Sequence, residues 1–251
     1  MSFFSRLFGR NKAEPTAAQT PTAEPDTPEQ DEQVADTSVP DAVSQGVDGP
    51  IDVADAADTS GYVDLGALLV PPTPNLKTQF EADKDSKEIR SVRFIGESSQ
   101  LWVQVYASPR SEELWPQVRQ DLIAEITREG GSVSEANGPF GRELLARLRG
   151  KTPDGRTSHR SVRFLGIDGP RWFVRAIISG DASATAAAAT ELEEVLRAIV
   201  VVRGDAPMPP MGLLPLTLPG GRRLVAEGDR DADPNLPNFG KLRLSKETTT
   251  E

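Results

Sequence analysis

A seven-residue phrase occurs twice in this chain and limits what it can fold into. Arg90-Ser91-Val92-Arg93-Phe94-Ile95-Gly96 returns as Arg160-Ser161-Val162-Arg163-Phe164-Leu165-Gly166, 70 residues later, and the same offset carries Trp102 onto Trp172. Side chains alternate across a strand, so Val92 and Phe94 share one face with Arg93 on the other, and Val162, Phe164 and Arg163 divide likewise. Glu97 to Gln100 and Ile167 to Pro170 have the composition of hairpin turns. Second strands over Leu101–Tyr106 and Arg171–Ile178 follow. Each copy thus reads as strand, turn, strand, then helix. Two readings are open: two structurally equivalent halves, or two strands that share an Arg/Val/Phe alternation.

The first helix is expected after Ser111 as N-cap. Glu112 and Glu113 suit its positive end, and Leu114, Trp115, Val118, Leu122 and Ile126 form one apolar stripe before Gly130-Gly131. On that stripe Trp115 reads as a core anchor. The second helix, about Ala182–Ile199, carries Leu192, Val195, Leu196 and Ile199. Glu193-Glu194 reads as ordinary exposed charge on it. Val200–Val202 fits either a last strand or the helix end. Ordered structure is expected from Gly61, with an apolar cluster from Tyr62 to Val70 and a short strand near Leu76–Glu81. Strands are also expected at Ser132–Glu135 and Glu143–Arg149. The domain spans 61–204.

The flanks differ in kind. Residues 13–76 hold thirteen Asp/Glu and no Lys/Arg, so the net charge of −10 is an acidic segment of −13 on a remainder of +3. Residues 13–60 lack aromatics and are poor in large aliphatics, which predicts a disordered acidic linker. From 205 to 219, prolines alternate with Met208, Met211, Leu213, Leu214, Leu216 and Leu218, and this arm is expected to cover an apolar strip of the body. Residues 220–251 read as a mobile polar tail. Residues 1–12 put Phe3, Phe4, Leu7 and Phe8 on one side of a short helix beside Arg6, Arg10 and Lys12. Such a segment either frays or docks on an anionic membrane or in a partner's groove, and its two turns favour fraying.

Several chemistries lack their residues. There is no cysteine and a single histidine, which excludes disulfides and thiolate metal sites. His159, at a loop edge beside Arg160, is a poor general base. Phosphate-loop and dinucleotide fingerprints are absent, as is any apolar run of membrane-spanning length, and no cofactor is expected. Two features rise above this background. One is a possible Arg face of the sheet from Arg93, Arg163 and Arg175, which binds anions or a nucleic-acid backbone if open and pairs with acids if covered. Nucleic acid is disfavoured because no aromatic residues interleave the arginines. The other is the turn Asp168-Gly-Pro-Arg171-Trp172, a contact hot spot or a dispersed enzyme site if exposed, a plain hairpin if Trp172 packs inward.

The segments Val63–Pro71, Ala107–Ser111 with Leu114-Trp115, Gly138–Leu144, Gly166–Trp172 and Val201–Gly204 resemble an uncharacterised actinobacterial protein family, a domain of unknown function. The resemblance covers about residues 61–219 and implies an actinobacterial intracellular protein without assigning an activity. The order of elements is similar to the Mog1/PsbP type of sandwich. The expected fold is therefore α+β, an antiparallel sheet flanked by helices (α/β/α), with a long disordered N-terminal and a short disordered C-terminal tail. The expected role is a non-catalytic cytoplasmic interaction or scaffold protein with an unidentified protein partner, peripheral at the membrane face if residues 1–12 dock there.

Overall fold

The computed structural model describes residues 49–83, 86, 88–151, 154 and 156–219. Phe3, Phe4, Leu7 and Phe8, most of the acidic segment and the tail from 220 lie outside the described residues.

The described chain is mostly β-sheet. Its strands are Ile51–Asp52 (β1), Val63–Asp64 (β2), Leu68–Val70 (β3), Lys77–Ala82 (β4), Ile89–Ile95 (β5), Ser99–Ala107 (β6), Ser132–Gly138 (β7), Gly141–Lys151 (β8), Thr157–Gly169 (β9), Trp172–Gly180 (β10) and Val200–Val201 (β11). Two helices, Trp115–Arg128 (α1) and Ala186–Ala198 (α2), complete it, with a 3-10 turn at Asp181–Ser183. Seven strands form one antiparallel sheet in the order β4-β5-β6-β10-β9-β8-β7, and four short ones form a second, β1-β11-β3-β2.

The central strands explain the sheet's depth. Trp172–Ser179 of β10 are buried at every position. A strand covered on both faces is apolar at nearly every position rather than alternating, and here only Arg175 and Ser179 interrupt the run. One face meets α1 in a core of Trp102, Leu122, Ile126, Leu144, Phe164 and Phe173. The other meets α2 and the small sheet through Val92, Phe94, Val103, Val174, Leu196 and Leu68.

The two copies of the repeated phrase are both first strands of hairpins, β5–β6 and β9–β10, and β6 pairs with β10 in one sheet. They are nonetheless not equivalent. Trp102 pairs with Ile177 and Trp172 with Ala107, and the register puts Trp102 on the α1 side and Trp172 on the α2 side. A two-fold axis relating antiparallel neighbours keeps each residue on its own face. The 70-residue offset therefore reflects a shared strand pattern, and the reading of two equivalent halves is corrected.

The start of the fold and the start of α1 differ from expectation, and the open reading of Val200–Val202 resolves to a strand. Folded structure is present from Gly49 onward, ahead of the expected Gly61, since β1 pairs in parallel with β11 and the Trp172 indole donates to Asp52 Oδ2 at 2.7 Å. A partner 120 residues away is invisible to local composition, which read this stretch as linker. Helix α1 starts at Trp115, not after Ser111, with Pro116 in its first turn, where the missing N–H is harmless. Val200-Val201 is a strand. The Pro-rich arm lies on the body: Leu214 N donates to Val105 O, Ala107 N to Gly212 O, and Thr217 N to Leu65 O. It adds backbone pairing to β6 beyond Val103, where β5 no longer pairs with it, and it buries Leu214 and Leu216.

Candidate functional site

The residues that stood out in the sequence are built into the fold. Arg93 and Arg175 lie on the α1 side of the large sheet and Arg163 on the α2 side, so there is no single Arg face. Val92 and Val162 face opposite ways, and each Arg follows its neighbour. All three are buried, Arg175 to 1% exposure.

Each guanidinium has a local assignment. Arg93 Nη2 donates to Glu81 Oε1 at 2.7 Å and its Cζ lies 4.7 Å from the Trp102 ring centroid. Glu81 also accepts from Trp102 Nε1 and Ser91 Oγ, so one carboxylate ties β4, β5 and β6 together. Arg163 binds Glu143 in a fork, Nε to Oε1 at 3.2 Å and Nη2 to Oε2 at 2.9 Å, and its Nη1 lies 2.8 Å from Glu193 of α2. Burial pulls its pKa down, but the bonds and charges of Glu143 and Glu193 outweigh this and hold it above the usual arginine value. Glu193, expected as plain surface charge, is thus part of the staple between α2 and β9. Arg175 Nη2 donates to Gln104 Oε1 at 2.6 Å and Tyr106 Oη at 2.8 Å. Burial lowers its pKa against the opposing charges of Tyr106 and Glu125, and burial raises that of Tyr106.

The Asp168–Trp172 turn is also structural. Asp168 accepts from the backbone N–H of Leu114 at 2.8 Å and of Trp115 at 3.0 Å, so the N-terminus of α1 is capped from a strand far along the chain. Burial raises its pKa, partly offset by those two bonds. Trp172 is buried and lies over Gly169, where a Cβ would sit 2.1 Å from its ring. Trp115 lies over Gly166 in the same way and donates to Arg142 O at 2.6 Å. Arg171 follows Pro170 at φ 62°, the left-handed region that usually takes Gly or Asn. Its carbonyl accepts from Ser108 N and Arg203 Nε, which fixes the strained residue in place. These residues do not converge on an exposed site.

A cleft of about 660 Å³ opens elsewhere, at the end of the large sheet where the β5–β6 turn meets the start of β9 and the end of β10. It is lined by Gln100, His159, Arg160, Ser161, Ser179 and Ser183, among others. Gln100 and Ser179 are direct cross-strand partners, and Ser179 in turn faces Val162. Arg160 lies two residues from Val162 on the same face of β9, roughly 7 Å along the strand. Ser99 Oγ accepts from Ala182 N, and Ser183 Oγ donates to Gly180 O and Ser161 O, so the 3-10 turn is pinned to the cleft wall. The cleft's residues come from four segments with no common motif, so no local pattern marks it in the sequence. Among the described residues, no group of three or more His, Cys, Asp or Glu is placed to hold a metal ion.

The molecule is a two-sheet, predominantly β domain with a polar cleft at one end of its larger sheet. The chain belongs to the family described as Protein of unknown function (DUF3710), which matches residues 49–223, more than half of its length. That match begins two residues before β1. No curated protein matches the chain.

Proposed function

We propose that this chain is a non-catalytic interaction protein of the cytoplasm whose folded region presents the cleft beside Ser161 as its binding surface. The observation that carries the reading is how the side chains are divided. Asp168, Trp172 and the three buried arginines, the groups a dispersed enzyme site or an Arg face would need, are each tied into contacts that hold strands and helices together. His159, Ser161 and Glu97, by contrast, line the cleft and are exposed. Concave, polar-lined sites of this size suit small ligands or a protruding segment of a protein.

Three finer readings belong with it. The flanked-sheet arrangement of the Mog1/PsbP type is supported by α1 and α2 packing on opposite faces of the large sheet. An actinobacterial origin is supported by the segments quoted above. Peripheral membrane contact rests on Phe3, Phe4, Leu7 and Phe8; among the described residues, no helix is long and apolar enough to cross a membrane.

The test is affinity capture by the full chain, by Ser161→Tyr, which fills the cleft mouth from an exposed strand position, and by a variant lacking residues 1–12. The reading expects captured species to be lost from Ser161→Tyr. Identical capture by Ser161→Tyr and the full chain refutes the cleft as the binding surface. Loss on deleting residues 1–12 assigns membrane or partner docking to that segment, and unchanged fractionation removes it.

A further inference from the structure

β7 is the last strand of the large sheet and pairs only with β8. Gly138 and Gly141 close that hairpin around a two-residue turn, so they form a hydrogen-bonded pair. The alternation of an antiparallel ladder then turns the backbone N–H and C=O of Val133, Glu135 and Asn137 away from β8. Carried across the sheet, the same alternation turns Val105 and Ala107 of β6 outward, where the Pro-rich arm bonds them. The two edges are finished differently. β4 carries Lys77 and a register shift at Glu81/Ala82, devices that discourage an added strand. β7 holds no lysine, arginine or proline and pairs with β8 without a break.

Beside this edge the sheet is uncovered. Helix α2 reaches Arg163 of β9 through Glu193. On the same face beyond it Leu145 is 38% exposed, and Ser132, Ser134, Arg147 and Arg149 are exposed around a hollow of about 310 Å³. No carboxylate lies across the strands from these arginines: Arg147 stands between Ser132 and Ser161, and Arg149 opposite His159. Glu143, the acid on this face of β8, is taken by Arg163 at 2.9 Å. Glu135 of β7 turns to the other face, with Arg142 at 3.1 Å and Arg119 at 3.6 Å. Positive charge therefore adjoins open backbone.

We propose that β7 takes up an extended segment of an acidic protein partner as an eighth strand, with the segment's carboxylates toward Arg147 and Arg149. Main-chain bonds to Val133, Glu135 and Asn137 supply affinity, and alternate side chains supply selectivity. An added strand lies about 5 Å beyond β7 and so roughly 10 Å from β8. Only the short Ser132 and Ser134 side chains stand between, and an arginine and a glutamate together span the gap. Nucleic acid fits less well, because this face of β7, β8 and β9 has no Phe, Tyr or Trp to stack a base. The surface is distinct from the cleft, which neither Arg147 nor Asn137 lines, so its test stands apart from that of Ser161→Tyr.

The experiment titrates the full chain with a blocked nine-residue peptide that alternates threonine and glutamate, and with its threonine–lysine counterpart, read by backbone amide shifts. The glutamate peptide is expected to give saturable shifts centred on residues 132–138 that weaken with salt, and the lysine peptide none. Arg147→Glu weakens binding about tenfold or more, the usual effect of losing a charge-assisted bond. Asn137→Pro removes one outward N–H while keeping the bonds to β8, and weakens binding likewise. A modified peptide tests the strand bonds without touching the protein. Its carboxylates face Arg147 only if the threonine N–H groups face β7, so N-methylation of the threonines abolishes binding and N-methylation of the glutamates spares it. The reverse pattern, or equal binding of both methylated peptides, overturns the added strand. Unchanged affinity in Arg147→Glu, or equal binding of the lysine peptide, overturns the acidic partner. Absence of saturable binding overturns the proposal. A dimer in light scattering that Asn137→Pro abolishes makes a second copy the occupant and overturns it as well.

Discussion

Replacing Asp168 by alanine removes both acceptors at the start of α1. The Leu114 and Trp115 N–H groups, now bonded at 2.8 and 3.0 Å, are left at a buried helix end. Losing an N-cap costs about 1 kcal/mol, and leaving buried donors without partners brings the total to about 2–3 kcal/mol. In a domain of this size that lowers the melting midpoint by roughly 4–12 °C. Urea unfolding followed by tryptophan fluorescence measures it. Asp168→Asn keeps one acceptor and is expected to lose about half as much. Ser111→Ala, at the cap position expected from the sequence, is expected to change nothing. The pH dependence adds a sign. Burial raises the folded pKa of Asp168 above the ordinary aspartate value of 3.8, so its relative stabilising effect is full below 3.8 and is lost as pH rises through the folded value. The parent should therefore lose stability relative to Asp168→Asn between acid and neutral pH. An Asp168→Ala cost below about 0.5 kcal/mol, or a Ser111→Ala cost equal to it, refutes the tertiary cap.

Three further expectations follow from the buried contacts. Arg163→Met leaves Glu143 buried beside Glu193 without its cation and should cost about 3–5 kcal/mol by urea unfolding, partly recovered by adding Glu143→Gln. Asp52→Ala removes the acceptor of the Trp172 indole and should cost about 1–3 kcal/mol and speed proteolysis within residues 49–60, while Asp55→Ala changes neither. Truncation after Gly204 exposes the sites of Leu214 and Leu216 and should cost at least about 3 kcal/mol, seen as a lower unfolding midpoint.

What the sequence made legible was local. Alternation located β5, β6, β9 and β10, the apolar stripe located the body of α1, and the greasy prolines marked an arm that lies on the domain. Facing was not legible. Arg93 and Arg163 sit in heptapeptides that differ only at Ile95 and Leu165 yet point to opposite sides, because the β6–β10 register, set by the whole sheet, decides which parity meets α1. The start of the domain was hidden for a related reason: Asp52 and Ile51 look like linker until Trp172 and Val200 arrive beside them. Asp168 read as part of a turn, and its function as a helix cap depends on Leu114, which lies in another element. The cleft was least legible, since serines carry no sequence signature and only the meeting of two hairpin ends gathers them.

The most direct measurement of the central claim is a map of backbone amide shifts in the full chain titrated with the species that affinity capture retrieves and that Ser161→Tyr fails to retain. The account predicts perturbations confined to residues 95–100, 159–161 and 179–184. Shifts centred on the Gly169–Trp172 turn, or none at saturating ligand, contradict it.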